Sequence, residues 1–220
     1  MTLQFLLQFI FRLLYNQLAF TYDWVSWAVS IGQWREWQRQ VIPRIVGWRV
    51  LEVAHGTGNL QIDLAAAGYD PVAFDLSPAM RRIAKRKLAR RKLFPPFVRG
   101  QAQALPFAAG SFTSIVSTFP AEFIADPNTV REFWRVLEDG GRVVFVPAAT
   151  ILPGHLADRL ARWLFQITDQ SIAPLPDGSG WPPQLLQTYR TAGFHIVIES
   201  APLPRSLVWI VIADKNQTPI

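Results

Sequence analysis

The stretch RVLEVAHGTGNL, residues 49–60, constrains this chain more than any other. A short β-branched and apolar run is followed by the turn Ala54-His55-Gly56-Thr57-Gly58, which leads directly into a helical pattern opening at Asn59-Leu60. From there short β-branched runs alternate with amphipathic stretches. The pattern predicts strands near 49–54, 71–75, 96–99, 112–117 and 141–147, with helices near 59–68, 78–92 and 127–138. Such alternation argues for a sheet of mostly parallel strands covered by helices on both faces. Gly68 and the pair Gly140-Gly141 are expected to stop two of those helices, because glycine tolerates the left-handed conformation of a helix end. Further on, residues 153–167 and 183–192 read as helices joined by the Pro/Gly-rich run SIAPLPDGSGWPP, and two alternating strands near 194–200 and 206–213 close the chain.

The turn at 54–58 also bears on ligands. Glycine lets the backbone approach a bound group, and the helix that follows offers free N–H groups to an anion. An empty tight turn would use glycines as well. The second signal is Asp75, which ends the second strand in the run VAFDLSP. A carboxylate at that strand end can accept hydrogen bonds from both hydroxyls of a ribose, while Ser77-Pro78 opens the next helix; a plain capping role for Asp75 is the alternative. Turn and carboxylate together point to a bound nucleoside and leave the chemistry open.

At 220 residues the chain is long enough for one sizeable α/β core, and no linker divides it. Half of it is apolar and only 17% is charged, which excludes a disordered chain. The absence of cysteine excludes a disulfide framework, a thiolate metal site and thiol catalysis, and it fits a cytoplasmic protein. The net charge of +6 is uneven: residues 81–92, RRIAKRKLARRK, carry eight positive charges and no negative one, so the remainder stands at 6 − 8 = −2. Met80, Ile83, Ala84 and Leu88 form the buried stripe of that helix. Its basic face is read either as solvated or as a contact with an anionic membrane surface. Nucleic acid is not expected, since the basicity is confined to one helix.

Residues 3–14, LQFLLQFIFRLL, are apolar except at Gln4, Gln8 and Arg12, which line one narrow helical stripe. Twelve residues rise about 18 Å, too little to cross a bilayer, and neither a basic lead nor a small-residue cleavage site makes the run a secretory signal. Two readings stand: a helix lying in a membrane interface, or a cap over a hydrophobic pocket. The expected organisation is an N-terminal cap or interface segment over 1–40 and a catalytic domain over 41–220, with a helical insertion or lid at 153–192.

Four blocks, in order, carry a resemblance to a known family. LEVAHGTG at 51–58 is similar to the first motif of the class I S-adenosylmethionine-dependent methyltransferases, and Asp75 matches the acidic end of their second. GQAQALPFAAGSFT at 100–113 resembles their G-D-A-x-x-L-P-F-x-x-x-S-F-D block, and RVLEDGGR at 135–142 their R-V-L-x-x-G-G-R block. Within the family the chain looks most like the branch that methylates quinone precursors and other small molecules. The resemblance extends upstream to Tyr22-Asp23, Ser30-Ile31-Gly32, Trp34 and Trp37, similar to the segment that folds over the cofactor. It implies a Rossmann-like α/β fold: a seven-stranded, mostly parallel sheet with an antiparallel C-terminal strand, helices on both faces and an extra apolar N-terminal helix. It also implies S-adenosyl-L-methionine as cofactor, held by Tyr22, Glu52, Ala54, His55, Gly56, Gly58, Asp75, Leu76, Gln101, Ala102 and Thr118.

The chain departs from the family in three places. Ala54 stands where glycine is usual and His55 where a small residue is usual, which puts an imidazole beside the cofactor. Gln101 replaces the acid that commonly receives the adenine amino group, although its amide oxygen can still accept. Thr113 replaces an aspartate that lies beyond the cofactor. Transfer from a sulfonium asks mainly for alignment and exclusion of water, and the three histidines, His55, His155 and His195, show no metal spacing, so no metal is expected. An acceptor that needs activation would need a base, for which His55, Tyr22 and Glu122 are the candidates, each with a plain structural alternative.

The apolar N-terminal run, nine tryptophans, the basic helix and residues 156–167 favour a lipophilic acceptor, a quinone precursor or a phospholipid headgroup, met on the inner face of a membrane by a peripheral protein. The altered Ala54-His55 and Gln101 keep open a non-catalytic scaffold that binds the cofactor or a membrane. A nicotinamide oxidoreductase suits the four blocks least.

Overall fold

A computed structural model describes residues 26–27, 30–152 and 183–215. The apolar run at 3–14, Tyr22, the helix expected at 153–167, His155 and most of the Pro/Gly-rich run lie outside the described residues. Seven strands form one sheet in the order β3-β2-β1-β4-β5-β7-β6. They are β1 (Arg49–Val53), β2 (Asp70–Asp75), β3 (Phe97–Arg99), β4 (Phe112–Thr118), β5 (Leu137–Ile151), β6 (Phe194–Leu203) and β7 (Ser206–Lys215). Pairs among β1 to β5 are parallel, and β7 runs antiparallel to both its neighbours, β5 and β6. Among the described residues five α-helices pack on the sheet: α1 (Trp34–Arg39), α2 (Asn59–Ala66), α3 (Pro78–Ala89), α4 (Pro127–Val136) and α5 (Pro183–Thr191).

Period-two alternation assigns the sheet's two faces. Val50, Val116, Val144 and Ile210 point to one side with Trp37 and with Leu60 and Leu64 of α2. Leu51, Ile115, Val143 and Val211 point to the other, with Phe133 of α4 and Tyr189 of α5. β1 and β4 are buried on both faces, and their short β-branched and apolar cores, Val50-Leu51 and Ile115-Val116, made them recognisable without strict alternation. Within the expected insertion, α5 packs as core: Leu185 and Tyr189 are buried against the α4 side of the sheet.

Gly68 follows the end of α2 at φ +86°, as expected of a helix stop. The pair Gly140-Gly141 stops no helix. α4 ends at Val136, because Leu137 turns extended (φ −76°, ψ 138°) and pairs with Phe112 of β4, so both glycines sit inside the β5 run. Local propensity in WRVLED favours helix. Full burial of Leu137 against the neighbouring strand overrides it.

The clamp that fixes α1 is ionic. Asp63 on α2 takes two hydrogen bonds from Arg35, at 3.0 and 2.8 Å, and a third from Arg39 at 3.0 Å. Burial pushes the Asp63 carboxyl up, but the hydrogen bonds and charges of the two arginines outweigh it and hold it below the usual carboxylate range. On the opposite side of α1, Trp37 is fully buried and donates its indole N–H to Ser206 Oγ at 2.8 Å. A helix of six residues has little stability of its own, so this bracing is what holds it.

Candidate functional site

Strand order reverses between β1 and β4, and in open α/β sheets the crevice beyond the strand ends at that point is the usual ligand site. A cavity of about 450 Å³ lies there. Its lining runs from Asp75-Leu76 after β2 and Gly100–Gln103 after β3, across the turn 54–57, to Thr118-Phe119 after β4 and to Trp34 and Gln38 of α1.

The turn 54–58 is held from several sides. Ala54 N–H donates to the Phe74 carbonyl at 2.8 Å, and Gly58 N–H to the His55 carbonyl at 2.9 Å. Asp75 Oδ2 accepts from Gly56 N–H at 3.0 Å while its Oδ1 accepts from Ser77 N–H at 2.7 Å. The cap of α3 is Ser77, whose hydroxyl accepts from Met80 N–H, and not Asp75. A carboxylate has about four lone-pair directions. Asp75 therefore keeps two for a ligand.

The two glycines act differently. Gly56 has φ +52°, and a Cβ placed there would meet nothing within 4 Å, which makes it a bare stretch of cavity wall. Gly58, at φ +80°, lies off the cavity; a Cβ there would come within 2.8 Å of Leu88 and 2.9 Å of Ala84, so it serves the approach of α2 to α3. Ala54 occupies the left-handed region at φ +61° where a glycine would sit without strain.

His55 is buried, and its Nδ1 lies 2.8 Å from the Gly56 carbonyl, to which it donates. Burial lowers its pKa, against the opposing pull of Asp75 and the Gly56 carbonyl, so the ring stays neutral near pH 7. Its edge faces Phe97 at 5.4 Å between ring centroids.

Of the other residues expected at the site, Asp75, Leu76, Gln101, Ala102 and Thr118 line the cavity, as do Ala54, His55 and Gly56. Glu52 does not. It lies beneath the turn, 1% exposed, and accepts a hydrogen bond from Gln61 Nε2 of α2 at 2.7 Å. Burial pushes its carboxyl up to about 8; the Gln61 hydrogen bond opposes this and the Asp75 and Asp63 charges add to it. Glu122 is exposed on a short 3-10 turn outside the lining. Thr113, as expected, is away from the cavity and donates to the Arg49 carbonyl at 2.9 Å.

Sequence reasoning missed Gln38 and the aromatic wall at Phe119. Phe119 stacks on Trp34 with centroids 4.1 Å apart and sits at φ +50°. A bulky residue there is an outlier, more so immediately before Pro120, and such strain concentrates at functional sites. The run STFPAEF after β4 carried the signal, in a Phe-Pro step where the strand ends.

A family model described as a methyltransferase domain matches residues 51–145. A demethylmenaquinone methyltransferase of Symbiobacterium thermophilum is 30% identical over 176 residues, covering 76% of this chain and 68% of that protein. The chain belongs to the class I S-adenosylmethionine-dependent methyltransferases. A demethylmenaquinone methyltransferase of Renibacterium salmoninarum is 36% identical over 135 residues, 60% of this chain and 55% of its own length. The match thus spans about half the length of the first curated relatives. A crystal structure of a methyltransferase from Methanosarcina mazei superposes with a TM-score of 0.58 over 81% of this chain and 98% of its own, at 21% identity, and so shares the fold.

The site fits the cofactor that this family uses. A bare glycine wall, two free lone pairs on Asp75, an amide at Gln101 and an α2 N-terminus without a side-chain cap suit a nucleoside joined to an amino acid.

The raised Glu52 carboxyl makes stability depend on pH. Between the usual carboxylate range and about 8 the folded chain holds a proton that the unfolded chain releases, so stability falls as pH rises through that window. Denaturant unfolding at about pH 5 and about pH 8 should show the wild type losing more stability than Glu52→Gln, by on the order of 1–3 kcal/mol. Equal losses would show that Glu52 is ionised in the fold.

Proposed function

We propose that this chain transfers a methyl group from S-adenosylmethionine to a lipophilic small molecule, a quinone precursor. The single observation that carries this reading is a cavity polar at one end and aromatic at the other. Asp75 and Gln101 face it beyond β2 and β3, while Trp34, Phe119 and Phe123 face it beside β4 and α1. The quinone class is favoured by the relatives named demethylmenaquinone methyltransferase. A phospholipid headgroup suits the cavity less well, because among the described residues its lining holds no lysine or arginine for a phosphate.

In this reading Asp75 accepts from the ribose hydroxyls and Gln101 from the adenine amino group. Leu76 and Ala102 pack against the base, and the bare backbone of Gly56 lies along the amino-acid end. Bound S-adenosylmethionine supplies a methyl group already activated on sulfonium, open to in-line displacement. The protein's share is alignment and dryness: α1, clamped through Asp63, holds Trp34 against Phe119 and shuts water from the β4 side. His55 is the base we assign, since of the described candidates it alone lines the cavity; Glu122 receives no part in transfer. Glu52 supports the turn from below, and Gly58 sets the packing of α2 on α3.

The basic helix α3 is proposed as the contact with an anionic membrane surface. Arg81, Arg82, Lys85 and Arg86 are exposed along it, and Arg90 and Arg91 just past its end. No helix among the described residues is long and apolar enough to cross a membrane. Charge reversal at Arg82 and Arg86 should reduce sedimentation with phosphatidylglycerol vesicles severalfold in low salt. Unchanged sedimentation would leave the face as a solvated one.

Transfer of labelled methyl to a short-chain naphthoquinone precursor kept reduced tests the reaction. The wild type should form methylated product, and Asp75→Asn should weaken S-adenosylhomocysteine binding by about 10–100-fold in calorimetry. A wild type that binds no S-adenosylhomocysteine would end the enzyme reading.

A further inference from the structure

The β4 side of the cavity has one polar group with nothing to bind. Gln38 lies one helical turn after Trp34 on α1, and both line the cavity. Its side-chain nitrogen donates to Thr118 Oγ1 at 3.1 Å, which fixes the amide plane. Gln38 is 9% exposed, and its Oε1 is buried without a hydrogen-bond partner. A buried acceptor left unpaired is costly, and one on a residue that lines a cavity is placed to be satisfied by what the cavity binds.

The residues that line the cavity beside Gln38 narrow the ligand. The stacked pair Trp34 and Phe119, with Phe123 and Ala121, supplies flat apolar wall, and Thr118 is already joined to the Gln38 amide. No lysine, arginine or glutamate is among the described lining residues, and the one carboxylate, Asp75, lies at the far end beyond β2. A group seated on this wall is therefore neutral and flat, and it brings a hydrogen to an amide oxygen.

We propose that Gln38 is the positioning residue that reads the methyl acceptor: its Oε1 accepts a hydrogen bond from a ring hydroxyl and sets the ring against Trp34 and Phe119. The assignment rests on the methyl-transfer reading for the identity of the acceptor but makes its own demand. The acceptor must carry a hydroxyl hydrogen, so the reduced ring is favoured over its O-methyl ether and over the oxidised quinone.

Binding can be measured without turnover, on the full chain saturated with S-adenosylhomocysteine. The probes are a short-chain naphthohydroquinone under reducing conditions and its mono-O-methyl and di-O-methyl ethers. The wild type should bind the hydroquinone about tenfold more tightly than the di-ether, and Gln38→Met should erase that preference while leaving S-adenosylhomocysteine affinity within about twofold. Unchanged cofactor affinity also shows that the variant is folded. Should Gln38→Met fail to fold, Gln38→Asn keeps the amide but shortens its reach, and the same loss of preference is expected.

The proposal is overturned if the variant keeps the preference, or if it loses S-adenosylhomocysteine affinity by the same factor as the hydroquinone, since Oε1 would then serve the cofactor. It is also overturned if the wild type does not distinguish the probes. Hydroquinone binding of the expected pattern with no methyl transfer would support Gln38 and count against the methyltransferase reading alone.

Discussion

The arrangement of this molecule hangs on one carboxylate. Asp75 closes β2 and takes a backbone N–H from the neighbouring turn at Gly56 and another from the chain that opens α3 at Ser77. Two loops from adjacent strands are thereby fixed to one point. Backbone N–H groups that would otherwise be left beside a cavity are satisfied. Around that point the turn can hold Ala54 and Gly56 in left-handed conformations, and the cavity between β2 and β4 keeps its floor. A carboxylate used structurally on two lone pairs still offers two more. The same residue thus suits both the bracing and the binding of a diol.

The opposite wall depends on a different bond. α1 is too short to persist alone, and the charges of Arg35 and Arg39 on Asp63 hold it to α2 while Trp37 anchors it to the core. What it presents to the cavity, Trp34 and Gln38, is placed by contacts on its other faces. In the proposed reading the cofactor takes the polar end of the cavity, beyond β1 and β2, and the acceptor the aromatic end between β4 and α1.

Much of this was legible in the sequence, for identifiable reasons. The short apolar cores Val50-Leu51 and Ile115-Val116 made β1 and β4 evident, and the glycine turn with Asp75 located the cavity's polar end. Tertiary contacts hid the rest. Leu137 leaves a helix-favouring run because it is buried beside Phe112. Glu52 and Gly58 sit in the first motif, yet one faces α2 beneath the turn and the other packs against α3, a distinction that spacing alone does not make. Gln38 carries no signature at all, since its role comes from a bond to Thr118, eighty positions along the chain.

The most direct measurement of the central claim is a crystal structure of the chain with S-adenosylhomocysteine. Both ribose hydroxyls are expected within hydrogen-bond distance of the Asp75 carboxylate, with Gly56 and Ser77 still donating to it. A nucleoside seated away from Asp75, or one that displaced those two donors, would contradict the assignment of this carboxylate as brace and ligand at once.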